Sequence, residues 1–140
     1  MKNLSRYGSL EKTSAVMIKS AIPVIAISNS LRSEDYYCRI LGFEKKFAYR
    51  PDPNKSDPCY MGVARDGVML HLHSFKPERA GLTDAFVNVA DVDELFSELS
   101  AREANIQLPP TDQTWNDREM HVRDPDGNAI CFATFPQKKS

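Results

Sequence analysis

The chain contains the same order of predicted elements twice, and this internal repeat constrains its fold more than any other feature. Residues 23–43 align with residues 85–106 with their apolar positions in step, and each copy continues into two further strands. Those strands are joined by Arg65-Asp66-Gly67 in the first copy and by Asp124-Pro125-Asp126-Gly127 in the second, both typical of tight turns. Because two copies of one unit are stronger evidence than one, the sequence predicts an α+β fold of two tandem βαβββ modules that form a curved-sheet half-barrel.

The predicted boundaries follow from strand-rich runs and helix caps. In the first copy we expect a strand at 22–27, a helix at 31–41 ended by Gly42, and strands at 44–49, 60–64 and 68–73. In the second we expect a strand at 85–90, a helix from the Asp91 cap to about Ala104, a strand at 106–108 broken by Pro109-Pro110, and strands at 119–123 and 129–135. Residues 1–17 are predicted to be a flexible extension of a single domain at 18–136, with modules at about 20–75 and 83–135.

Strand alternation divides the side chains of each sheet between two faces. The residues predicted to face the helices are Leu70, Leu72, Val87 and Val89. The residues predicted to face the other side are Met69, His71, His73, Phe86 and Asn88. An aromatic ring beside an amide makes a poor core, so this second face is predicted to line a binding groove. A subunit interface is the alternative, and one face can serve both roles.

Charge and cysteine content narrow the classes of partner. The net charge is −1, but residues 1–20 carry +3 and residues 138–140 carry +2, which leaves −6 for the body between them. An acidic body argues against nucleic acid and is compatible with a cationic ligand, although ordinary surface charge explains it equally well. The cysteines at 38, 59 and 131 match no zinc or disulfide spacing, so a reducing cytoplasm is the expected location. No apolar run approaches the ~18 residues that cross a membrane.

Several short motifs, in order along residues 20–135, resemble the bleomycin-resistance branch of the glyoxalase-like (vicinal-oxygen-chelate) superfamily. They are Ser20–Val24, Tyr36-Tyr37 with Leu41-Gly42-Phe43, Val89 with Asp91–Leu95, Gln113-Thr114-Trp115 with Arg118-Glu119, and Asp124–Asn128. The family usually has Gly after the Trp, whereas Asn116 and Asp117 stand here and lengthen the turn by one residue.

The resemblance implies a homodimer whose two grooves lie between subunits, often with an exchanged N-terminal strand; we expect Ile22–Ile27 to contribute to the interface. Family members sequester a planar, cationic drug of the bleomycin type without altering it, which confers antibiotic resistance. The positions that match the aromatic groove residues of the family are Phe47, Tyr60, Phe86 and Trp115. The acidic residues expected nearest to a cationic tail are Asp84, Asp117 and Glu119.

Enzymes of the superfamily hold a divalent ion with His, Gln and Glu at matching points of four strands, which correspond here to Ile22, His71, Asp84 and Cys131. Ile22 cannot bind a metal, and Asp84 and Cys131 replace the usual His and Glu. The resemblance therefore implies a non-catalytic binder without a cofactor. A metal on His71, Asp84 and Cys131, as in a metal-dependent lyase, dioxygenase or thiol transferase, is the alternative. Binding of an unrelated host metabolite is a third hypothesis.

Overall fold

The computed structural model describes residues 15–136 and confirms the two predicted modules. The first contains β1 (Val24–Ala26), α1 (Ser30–Asp35), β2 (Glu44–Tyr49), β3 (Tyr60–Arg65) and β4 (Val68–His73). The second contains β5 (Asp84–Asn88), α2 (Val92–Ala101), β6 (Asn105–Asp112), β7 (Arg118–Arg123) and β8 (Ala129–Thr134). Residues 1–14 of the predicted extension lie outside the described residues, and residues 15–17 form neither helix nor strand. No helix within 15–136 is long and apolar enough to cross a membrane.

The two modules build two four-stranded mixed sheets with the same topology. The strand orders are β1-β4-β3-β2 and β5-β8-β7-β6. In each sheet the first strand of the module runs parallel to the last, and the other neighbours are antiparallel. The repeat seen in the sequence is therefore a repeat of strand order and pairing.

Both helices begin at a side-chain cap, and the cap of the second helix is the predicted Asp91. The Asn29 side chain accepts a hydrogen bond from the backbone N–H of Arg32 at 3.0 Å. Asp91 Oδ1 accepts from the N–H groups of Asp93 and Glu94 at 3.0 and 3.1 Å. These bonds satisfy backbone donors that have no partner within the first turn of a helix.

The predicted helix at 31–41 is wrong in its second half. Regular α-helix ends at Asp35, and Tyr36–Ile40 forms a wider π-helical turn. The wider turn places Tyr37 in the core, where its hydroxyl donates to Asp124 Oδ2 at 2.9 Å. This bond joins the two modules, so the residues near the helix in the sequence could not predict it. The helical segment then ends at Gly42, which has φ +79°. This left-handed conformation is the one expected of a glycine that ends a helix, as predicted.

The predicted strand at 106–108 is confirmed, but its predicted break at Pro109-Pro110 is wrong, because β6 continues through both prolines. β6 lies at the edge of its sheet, so its prolines need not donate to a neighbour on the outer side. Register shifts between Ile106 and Leu108, and between Leu108 and Thr111, accommodate the irregular backbone.

One hydrophobic core is shared by the two modules. Its fully buried members include Ile25, Met61, Leu70, Leu72, Leu99, Met120 and Ile130. The buried Asn128 links the modules beside this core. Its Nδ2 donates to Ala26 O at 2.9 Å. Its Oδ1 accepts from the N–H groups of Gly81 and Thr83 at 2.9 and 3.0 Å. The Asp-Pro-Asp-Gly-Asn motif thus has a structural role.

Candidate ligand-binding site

The uncovered face of the first sheet carries an aromatic cluster, which we call the first half-site. Phe47 lies parallel to Tyr60 with ring centroids 6.4 Å apart and meets His71 edge-on at 5.4 Å. Tyr60 also stacks on His73 at 5.9 Å, and its hydroxyl forms a 2.9 Å hydrogen bond with His71 Nδ1. Phe47 and Tyr60, both predicted as ligand-binding residues, are therefore brought together.

The first half-site forms because β2, β3 and β4 alternate in register. Gly62 stands opposite His71 on one side and Phe47 on the other. The Phe47 ring lies directly over Gly62, in the space where any other residue would place a Cβ atom. Leu70 and Leu72 point to the opposite face and are fully buried, as predicted from the alternation.

The uncovered face of the second sheet carries the second half-site. Phe86 is 56% exposed, and Asn88 and Asp84 are exposed beside it on β5. Phe86 is the cross-strand neighbour of Cys131, which is in turn the neighbour of His121. These side chains therefore lie on one face of the sheet, in a row that crosses β5, β8 and β7.

Trp115 stands at the end of the second half-site, on the turn between β6 and β7. Gln113 N donates to Asp117 O at 2.8 Å, and Asn116 N donates to Gln113 O at 3.3 Å. Asn116 adopts φ +71°, a conformation that Asn tolerates better than most residues other than Gly. The lengthened turn is thus a closed one, and it leaves Trp115 61% exposed.

Glu119 is the polar centre of the second half-site, although it is only 5% exposed. Trp115 Nε1 donates to Glu119 Oε2 at 2.9 Å, and His121 Nε2 forms a 2.9 Å hydrogen bond with Glu119 Oε1. The Cys131 thiol and the Asp117 carboxyl group also lie close enough to Glu119 to affect its charge.

These contacts set the charges of the second half-site. Burial alone would raise the pKa of Glu119, but the hydrogen bonds from its neighbours outweigh this and lower the pKa to about 2. Burial and the Glu119 carboxylate raise the pKa of Cys131 to about 12. Burial and the same carboxylate raise the pKa of Asp117. Glu119 is therefore held as an anion at neutral pH beside a Cys131 thiol that keeps its proton.

The three candidate metal ligands His71, Asp84 and Cys131 do not form one cluster. His71 belongs to the first half-site, whereas Asp84 lies at the start of β5, opposite Ala129. Among residues 15–136, the one group of three side chains suited to a metal is Glu119, His121 and Cys131.

That group was missed as a unit from sequence, although Glu119 was predicted to attract a cation. The predicted tight turn of the last hairpin was the available signal, because the position of a turn fixes which residues pair across a hairpin. A turn centred on Asp126 pairs Arg123 with Ala129 and therefore pairs His121 with Cys131.

Neither half-site is an enclosed pocket. A cavity of about 450 Å³ opens elsewhere, between the modules, and its lining includes Phe43, Val87 and Phe132. At its rim Arg65 forms an ion pair with Glu98 at 2.8 Å. Among the described residues no ring contact joins the two half-sites, so each is an open face on its own sheet.

Comparison with known proteins gives a consistent family. Residues 22–132 match the model of the Glyoxalase/Bleomycin resistance protein/Dioxygenase superfamily. The bleomycin-binding protein from Streptomyces verticillus, solved with copper(II)-bleomycin, is 28% identical, with a TM-score of 0.69 over 84% of this chain and 96% of that one. A superfamily member from Sphaerobacter thermophilus is 25% identical, with a TM-score of 0.67 over 84% and 99%.

An antibiotic-binding protein from a Streptomyces species shares the fold at 22% identity, with a TM-score of 0.66 over 85% of this chain and 98% of that one. No curated protein matches the chain.

Proposed function

The chain belongs to the glyoxalase/bleomycin resistance protein/dioxygenase superfamily, and we propose that it binds a planar, cationic small molecule without altering it. The ligand class is that of the bleomycin-type glycopeptides, and sequestration of such a drug in the cytoplasm would confer resistance. The observation that carries this proposal is the set of aromatic rings on the uncovered faces of both sheets.

Rings held on a sheet and exposed to solvent are suited to stacking against a flat ligand. Phe47, Phe86 and Trp115 are 41%, 56% and 61% exposed, and Tyr60 is half-buried beside Phe47. The indole N–H of Trp115 is already bonded to Glu119, so the ring is oriented before a ligand arrives. By analogy with bases on aromatic side chains, each stacked ring contributes ~1–3 kcal/mol.

Charge supports the cationic part of the proposal. Glu119 holds a negative charge at neutral pH, and the exposed Asp84 lies on the same sheet. A cationic tail of the ligand would be attracted to these groups and to the acidic body of the chain, and added salt would screen the attraction.

A homodimer would convert two open faces into a groove. We propose that the first half-site of one subunit faces the second half-site of its partner, so that a flat ligand is enclosed between rings of both chains. Ile22 and Val24 are 37% and 48% exposed on the first strand and are available for the interface, whereas Ile25 and Ile27 are fully buried in their own subunit. Light scattering should give twice the chain mass of 15.8 kDa at tens of micromolar.

Titration with bleomycin or phleomycin tests the binding proposal. Trp115 is the one tryptophan, so stacking should quench the tryptophan emission of the wild-type protein. By calorimetry we expect micromolar or tighter affinity, weakened about tenfold or more by Trp115→Ala or Phe86→Ala. Leu31→Ala is the matched control, because it removes a 56% exposed apolar side chain from α1, away from both half-sites.

Two results would contradict the proposal. Unchanged Trp115 emission together with no heat at millimolar drug would exclude drug binding, and another metabolite would become the leading ligand. If the protein is a monomer and still binds the drug, the binding proposal stands, but the proposed groove between subunits is excluded.

A further inference from the structure

Three metal-binding side chains meet on two neighbouring strands of the second sheet. Glu119 and His121 are two residues apart on β7 and share a face, and Cys131 on β8 is the cross-strand neighbour of His121. One carboxylate oxygen, one imidazole nitrogen and the sulfur all lie within 4.8 Å of one another. One of these pairs, Glu119 Oε1 and His121 Nε2, is 2.9 Å apart.

This spacing is close to what one tetrahedral ion requires. Zinc bonds of about 2.0–2.3 Å to oxygen, nitrogen and sulfur place the ligand atoms roughly 3.5 Å from one another. The Glu119–His121 pair must therefore open slightly, while the sulfur, which lies within 4.8 Å of the other two ligand atoms, needs to approach by no more than about 1.3 Å. Side-chain rotation alone can supply such shifts, because the strands already hold the three residues in register.

We propose that Glu119, His121 and Cys131 form a binding site for Zn²⁺ or a similar borderline-soft divalent metal, with the fourth coordination position open on the uncovered face. A thiolate, an imidazole and a single carboxylate suit zinc, whereas Mg²⁺ and Ca²⁺ prefer sets made of oxygen.

Charge and the surrounding hydrogen bonds favour this ion. On binding, the Cys131 thiol gives its proton to solvent and His121 binds through Nε2 as its neutral Nδ1–H tautomer. One carboxylate and one thiolate then neutralise the two charges of Zn²⁺. Glu119 can ligate through Oε1 while Oε2 keeps its 2.9 Å bond from Trp115, so the ligating carboxylate is held in place by a neighbour of its own.

The site differs from the four-strand position implied by the family resemblance. Of those four residues only Cys131 takes part, and Ile22, His71 and Asp84 do not. All three ligands lie within one sheet of one chain, so the site does not depend on a dimer or on the proposed drug.

Cobalt provides a direct test on the full-length protein. After EDTA treatment and reduction with a non-chelating phosphine, Co²⁺ should bind one equivalent per chain. Binding should produce sulfur-to-cobalt charge-transfer absorption in the near ultraviolet and visible bands of tetrahedral intensity, and Zn²⁺ should displace both. Cys131→Ser should abolish the charge-transfer band, whereas Cys38→Ser, which removes another half-buried thiol, should keep it.

The other two ligands are tested by affinity. His121→Gln and Glu119→Gln should each weaken Co²⁺ binding by at least about tenfold, because even residues behind a ligand contribute that much. His71→Gln should have no such effect. If His71→Gln removes binding while His121→Gln does not, the proposed ligand set is wrong.

A measurement on the wild-type protein avoids reliance on variants that fold poorly. With one equivalent of Zn²⁺ bound, X-ray absorption at the zinc edge should show one sulfur at about 2.3 Å together with nitrogen or oxygen at about 2.0–2.2 Å. No charge-transfer band at millimolar Co²⁺, or a zinc shell without sulfur, would overturn the proposal.

Discussion

Replacing Gly62 by alanine should displace the Phe47 ring and thereby dismantle the first half-site. A Cβ built on Gly62 lies 2.9 Å from both Cδ1 and Cζ of Phe47, and closer still to Cε1. These distances are too short for carbon atoms that are not bonded, so the ring must move away. Its contacts with Tyr60 and His71 are lost when it does.

The size and the sign of the effect follow from two opposing contributions. Each aromatic pair contributes ~0.5–1.5 kcal/mol beyond its buried area, so the loss of two pairs costs about 1–3 kcal/mol. Alanine in place of glycine restricts the unfolded chain and stabilises the fold by ~0.4–1 kcal/mol where the backbone permits it. The backbone at Gly62 lies in a regular strand. Gly62→Ala should therefore lower the free energy of unfolding by about 1.3 kcal/mol net at the middle of the two ranges, and by no more than about 2.6 kcal/mol.

The decisive measurement is a double-mutant cycle by urea denaturation. In a Phe47→Ala background the clash is absent, so Gly62→Ala should stabilise the protein by ~0.4–1 kcal/mol instead of destabilising it. The substitution thus reverses sign with the identity of residue 47. Equal effects in both backgrounds, within about 0.5 kcal/mol, would refute the claim that Phe47 rests on Gly62.

Two further predictions concern polar groups. Asn128→Ala should lower the free energy of unfolding by about 3 kcal/mol, because it leaves several buried backbone groups without partners. Urea denaturation with unchanged cooperativity would measure this loss. A loss under about 1 kcal/mol would contradict the prediction. The low pKa of Glu119 means that its charge stabilises the fold above the ordinary value of 4.5, and that this stabilisation is lost as the pH falls towards about 2. The single indole N–H resonance of Trp115 should therefore shift with a midpoint near 2, whereas a midpoint near 4.5 would exclude the hydrogen-bonded carboxylate.

Much of the fold could be predicted because its determinants are local. The Asp91 cap, the positive φ at Gly42 and the inward-facing Leu70 and Leu72 each follow from a few neighbouring residues. The π-helical turn after Asp35 could not be predicted, since Tyr37 is held there by a partner 87 residues away.

Individual residues of the candidate site could be predicted from the sequence, but their arrangement in space could not. Phe86 and Trp115 were recognised individually, and the structure places Phe86 on the uncovered face of the second sheet and Trp115 on the turn at its end, bonded to Glu119. The cluster around Glu119 depends on which residues face one another across the last hairpin. A strand pattern alone does not fix that register, because a shift by one residue would turn every side chain to the other face.

The pairing register also explains how one repeated unit produces two different faces. The same network of pairs places Gly62 opposite His71 in the first sheet and His121 opposite Cys131 in the second. Inward positions stay apolar in both copies, and the corresponding pairs are Met61 and Met120, Val63 and Val122, Leu70 and Ile130, and Leu72 and Phe132. The outward positions have no core to fill, so they can differ without cost to the fold. An aromatic cluster on one sheet and a carboxylate–imidazole–thiol cluster on the other are then two chemistries carried by one scaffold, and a dimer that apposes them would offer both to one ligand.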